Sequence, residues 1–171
     1  YRVLNDDLEM IEEITVEAPY WADIHDFEIL SNGNYLMGFL RDTIMDLSAY
    51  TFNGVQGSAT TTVLFLALRE FDSNLNVVWE WRAIDHISID EFYDFFSYNP
   101  DGMDFTHFNA LAETTDGSGD ILVSFRHLNA IHRVSRTTGN IVWRLGGAFS
   151  CFCKSIKMGK IHPIRIVGKE I

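Results

Sequence analysis

Along this chain apolar and polar positions alternate in short runs broken by Asn, Asp and Gly, the pattern of half-buried strands joined by tight turns. Three such runs align with one another: Tyr1 to Ile14, Leu68 to Trp81 and His132 to Leu145. Each reads as an apolar strand, a polar turn, and a second strand rich in Val, Ile or Trp, which is the sequence form of a β-hairpin. The spacing is 67 residues from Leu8 to Leu75 and 64 from Val77 to Ile141. A second kind of hairpin lies between them. Ile24 to Met37 alternates around Asn32-Gly33, a turn pair that tolerates positive φ at both positions. Its counterpart runs from Thr106 to Leu111, through the turn Asp116-Gly117-Ser118-Gly119-Asp120, to Ile121–Phe125. The unit is therefore a His-bearing strand, a turn, a strand and a Trp-ending hairpin, four strands in roughly 65 residues.

Four-stranded units that repeat in this way bury their faces only against neighbours, as propeller blades do. The fold predicted is all-β: a partial β-propeller of about two and a half blades, where closure needs about 4–8. Longer insertions are expected at Asp42–Thr61 and Arg82–Asp104, the second with a short helix around Asp90–Phe96.

Composition then divides the chain. The whole carries 24 acidic against 13 basic residues, a net charge of −11, which repels nucleic acid and anionic lipid. No apolar run approaches the ~18–20 residues of a membrane span. Residues 1–147 hold eight arginines, no lysine and 23 acids, for a net −15, whereas residues 148–171 hold four lysines, Arg165, one acid and both cysteines, for a net +4. Residues 1–147 are thus expected to form the propeller part, and 148–171 a compositionally foreign tail, a basic terminal extension being the alternative. Cys151 and Cys153 are one residue too close for the usual zinc or redox pair. The opening Tyr1-Arg2-Val3 lacks a Met and an apolar leader, as expected of a piece of a longer protein.

Six histidines are the main candidates for chemistry. His25 and His107 open equivalent strands, and equivalent strands of a propeller converge on one end of its channel. Asn109 is two residues beyond His107, so strand alternation is expected to put it on the same face. Arg126 and His127 follow the next strand. Each has a structural alternative, since a histidine at a strand start also serves as a hydrogen-bonded framework residue. His86 reads as a loop cap, His132 as a surface residue of an exterior hairpin, and His162 is assigned nothing. Trp79, Trp81 and Trp143 recur in register and read as packing between blades. Asp101 to Asp104 lacks the further oxygen ligands of a calcium loop and reads as a turn. Phosphate-binding loops, nucleophile elbows and His-Glu-x-x-His are absent, and no metal or cofactor is called for.

In order along the chain, His25-Asp26-Phe27, Leu30-Ser31-Asn32-Gly33-Asn34-Tyr35-Leu36, Trp79-Glu80-Trp81, Asp85-His86, His107-Phe108-Asn109, Ser124-Phe125-Arg126-His127 and Thr138 to Gly147 together resemble the arylsulfotransferase (ASST) family. The resemblance covers Leu4 to Gly147. It implies a six-bladed propeller, a periplasmic or extracellular setting, and transfer of a sulfuryl group from a phenolic sulfate ester to a phenol through a sulfated histidine. His25 and His107 would match catalytic channel histidines, and Asn109 and Arg126 the groups that bind the sulfuryl oxygens. The family's nucleophilic histidine follows Trp-Arg-Leu-Gly-Gly in a further blade, and no match for it occurs here. The chain is therefore expected to be an incomplete and inactive form of such an enzyme. A non-catalytic propeller that binds a ligand or partner is the alternative, and open blade edges would allow self-association.

Overall fold

The computed structural model describes residues 1–93 and 98–149. A leading hairpin, β1 (Arg2–Leu4) and β2 (Met10–Glu13), precedes a first antiparallel module. That module begins with β3 (Trp21–Ile29) and β4 (Tyr35–Met45). A small hairpin, β5 (Thr51–Phe52) and β6 (Val55–Gln56), intervenes before β7 (Thr61–Phe71) and β8 (Val77–Arg82) complete the order β3-β4-β7-β8. Next, β9 (Gly102–Asp104) lies parallel to the start of β7, pairing Thr62 with Gly102 and Leu64 with Asp104. The second module is a plain meander of β10 (Phe108–Glu113), β11 (Ile121–Phe125), β12 (Ala130–Val134) and β13 (Ile141–Gly146). This is the all-β, partial-propeller architecture that the repeats predict.

The aligned turns have one geometry. Leu8, Leu75 and Gly139 occupy the same step and all have left-handed backbones, with φ of 62°, 60° and 73°. In two of these turns a side chain closes the loop: Asn5 Oδ1 accepts from the main-chain N–H of Asp7 and Glu9, and Asp72 Oδ1 from that of Asn74 and Asn76.

Strand β7 reads Thr-Thr-Val-Leu-Phe-Leu-Ala-Leu, nearly continuous in apolar residues, because the first module is covered on both faces. Leu36, Leu66 and Leu68 join the main core with Phe108, Ile121, Val123 and Phe125 of the second module. Met37, Phe39 and Ala67 face the other way, into a smaller cluster with Ile14 and Tyr20. Gly38 makes the close approach of the modules feasible: a Cβ there would lie 2.7 Å from Cε1 of Phe108.

Carboxylates close the seam between the first strands of the two modules. Asp26 Oδ2 accepts from Leu111 N at 3.0 Å, Glu28 Oε2 accepts from Glu113 N at 2.7 Å, and Glu113 in turn accepts from Ser31 N and Oγ. These contacts satisfy main-chain donors on the edge strand β10, which among the described residues pairs with no strand other than β11.

Three expectations are corrected. Strand β4 runs on through Met45, so the first insertion begins later than Asp42. The second insertion holds two 3₁₀ turns, Ala83–Asp85 and Ile89–Glu91, instead of a helix over Asp90–Phe96; Phe92 is already extended, with ψ of 126°, and 94–97 lie outside the described residues. His132 is 1% exposed, not on the surface. Its partners in the repeat alignment include Leu68, which is equally buried, and the second 3₁₀ turn brings Glu91 over it.

Candidate functional site

Local irregularities in β3 and β10 build the site. In β3 the register moves from Ala22 opposite Phe39 to Phe27 opposite Met37, so five steps on one strand span two on its partner. The excess chain is thrown out as a bulge that carries Asp23 and His25, so His25 sits within the strand and does not open it. Asp23 is buried, and its Oδ1 accepts both from the main-chain N–H of His25 and from its ring, with Nδ1 at 2.8 Å.

The second module repeats the device with different spacing. Asp104 ends β9; its Oδ1 accepts from His107 N at 3.1 Å and its Oδ2 lies 2.6 Å from His107 Nδ1. His107 precedes β10 and has φ of 44°, a left-handed backbone that L residues seldom adopt. The fold holds it there through both neighbours. Thr106, fully buried, accepts from Leu66 N through its hydroxyl, and the His107 carbonyl accepts from Arg126 N at 2.9 Å.

His127 joins this pair. Its Nδ1 lies 2.6 Å from the main-chain oxygen of Asp104. A carbonyl only accepts, so that nitrogen carries the proton and Nε2 keeps the lone pair. Burial, with help from His107 and Arg126, holds the His127 pKa below the usual imidazole range despite its bonds to Asp104. Burial thus favours the neutral ring. Ring centroids stand 5.5 Å apart for His25 and His107 and 4.6 Å apart for His107 and His127.

Asn109 and Arg126 form a neighbouring group. Regular alternation does not link Asn109 to His107, because the register shifts between Phe108 and Ala110 and leaves Asn109 as the extra residue. Asn109 and Arg126 line one open groove of about 660 Å³ together with Tyr93, Ser124 and Asn129. The structure thus joins His25 to His107 by ring contact and Asn109 to Arg126 across the groove, and the two groups meet at the Arg126–His107 main-chain bond.

Among the described residues, Asp104, His107 and His127 are the group whose ligand atoms all lie within 4.8 Å of one another, close enough for a metal ion. Both Nδ1 atoms already bond to Asp104, so the cluster is satisfied as a hydrogen-bond network. The other sequence candidates sit elsewhere. His86 ends the first 3₁₀ turn and stacks on Trp81, with ring centroids 5.2 Å apart. Cys151, Cys153, His162 and nearly all of the 148–171 tail lie outside the described residues. Missed from the sequence were the carboxylates: Asp23 stands two residues before its histidine and Asp104 three, a spacing visible in the sequence but without meaning until the bulge and turn are known.

An all-β protein of successive antiparallel modules, in which imidazoles from the two modules meet and each is bonded to its own carboxylate, defines the class. Residues 2–170 match the arylsulfotransferase (ASST) family, and the chain belongs to it. A search of curated proteins finds no significant match. Among the described residues no helix is long and apolar enough to cross a membrane.

Proposed function

We propose that this protein acts in transfer of a sulfuryl group from a phenolic sulfate ester to a phenol, with His25 and His107 in acid–base roles and Asn109 and Arg126 binding the sulfuryl oxygens. The observation that supports this best is the ring contact between His25 and His107, each with Nδ1 against a carboxylate and Nε2 on the far side of the ring. In the first half of the reaction the bond from sulfur to the donor's aryl oxygen breaks as the sulfuryl group passes to the nucleophilic histidine that the family resemblance implies, and the departing phenolate takes a proton from an imidazolium; in the second half an Nε2 lone pair takes the acceptor phenol's proton as its oxygen bonds to sulfur and the bond from sulfur to that histidine breaks. Negative charge spreads over the peripheral sulfuryl oxygens in such transfers, where a fixed guanidinium and a neutral amide stabilise it as it develops.

The family resemblance routes the sulfuryl group through a histidine for which residues 1–147 offer no match. The described modules would then supply the acid–base and charge-binding half of the site, and the 171-residue chain by itself is expected not to turn over. The test is release of a coloured phenol from a chromogenic phenyl sulfate with a second phenol present, using the longest natural protein that carries this sequence. His107→Ala and Arg126→Ala should each lower turnover by about 10²-fold or more. Unchanged rates in both variants would remove the assignment and favour a binding propeller without chemistry.

A further inference from the structure

We infer that Asp104 is the positioning residue of this site: its carboxylate sets the tautomer of His107 while its main-chain carbonyl sets that of His127, so one residue leaves two adjacent imidazoles each with Nε2 unprotonated. The importance of this for catalysis rests on the sulfuryl-transfer reading above; the tautomers themselves do not.

The geometry is specific. Asp104 presents three acceptors to two histidines: Oδ1 to His107 N, Oδ2 to His107 Nδ1, and O to His127 Nδ1. Both ring bonds are 2.6 Å long, at the short end for a nitrogen donor, as expected where the acceptor is charged or the geometry tightly held. A neutral imidazole has one N–H. When an acceptor occupies Nδ1, that proton is committed there and the lone pair falls on Nε2, across the ring from Asp104. The ring centroids stand only 4.6 Å apart, so the two imidazoles that Asp104 commits are direct neighbours.

The two bonds from Asp104 differ in one useful respect. A substitution changes the carboxylate but leaves the main-chain carbonyl in place. In Asp104→Asn, Oδ1 can still accept from His107 N and keep the turn, but the amide NH₂ then faces Nδ1 and donates to it. His107 should pass to the opposite tautomer, protonated at Nε2, while His127 keeps its own. His127 thus serves as an internal control for structural damage.

The experiment is long-range ¹H–¹⁵N NMR of the histidine side chains in the 171-residue chain, recorded above the pH at which the rings lose charge. In the wild type, His107 and His127 should both show a protonated Nδ1 and an unprotonated Nε2. In Asp104→Asn, the His107 pattern should reverse and that of His127 persist. A wild-type His107 or His127 protonated at Nε2, or an Asp104→Asn variant in which His107 keeps its wild-type pattern, would overturn the proposal. If the variant does not fold, the wild-type tautomers decide alone. In the protein that turns over aryl sulfates, Asp104→Asn should lower kcat by about 10²-fold with little change in KM, and Asp104→Glu should recover part of that loss. Absence of sulfuryl transfer in every form, with the tautomers as described, would defeat the functional reading and leave the role of Asp104 standing.

Discussion

The indole Nε1 of Trp81 donates to the main-chain oxygen of Gly139 at 2.9 Å, tying the last strand of the first module to the outer turn of the second. The same indole is 2% exposed and stacks on His86 at an interplanar angle of 11°. One side chain thus serves the core, the seam between modules and the packing of the insertion.

Trp81→Phe keeps most of the apolar contact but leaves the Gly139 oxygen without its donor, so a loss of about 1 kcal/mol is expected. Trp81→Ala adds a cavity and should cost about 3–5 kcal/mol. Urea unfolding of the two variants beside the wild type measures both, and equal stability of all three would show that the seam is not tied here.

His132 makes the fold sensitive to acid. Both ring nitrogens are buried without a hydrogen-bond partner among the described residues, and burial, then the nearby Arg144, lowers its pKa to about 4. Glu91 does not offset this: its carboxylate lies 3.7 Å from His132 Nε2, beyond hydrogen-bond range, and already holds Arg144 at 2.8 and 3.0 Å. The folded pKa lies below the unfolded value of about 6.5, so the unfolded chain binds more protons between the two. Stability should therefore fall as pH drops from about 6.5 toward 4, by up to the order of 3 kcal/mol from this group. In His132→Leu that part of the slope should vanish, which unfolding free energies measured across this window will show.

Gly38→Ala should destabilise by about 1–3 kcal/mol, because the new methyl group meets the buried Phe108 ring, which has no room to retreat. Phe108→Leu should relieve part of that clash. A double-mutant cycle with additive costs would place the strain elsewhere.

Leu8 is mostly exposed yet holds a φ of 62°, the conformation that Gly139 supplies in the equivalent turn. Leu8→Gly should therefore stabilise the hairpin by as much as about 1 kcal/mol, net of the greater freedom glycine has when unfolded. A lower melting temperature for Leu8→Gly would contradict this.

What local chemistry dictates could be read directly from the chain. The three aligned turns form because Asn5, Asp72 and Gly139 act on residues within a few positions, and Asn32-Gly33 turns where glycine takes a φ of 85°. Hairpins and their succession follow, and with them the all-β class. Tertiary structure decided the rest. The bulge that presents Asp23 to His25 depends on how β3 registers against β4, and Asn109 departs from the face of His107 because of a shift set by β11. His132 is buried on the inward face of β12, where the insertion folds over it and brings Glu91 beside both the imidazole and Arg144. Strand and turn signals act over a few residues, whereas register, burial and the grip of Asp104 on two imidazoles depend on which distant segments arrive beside them.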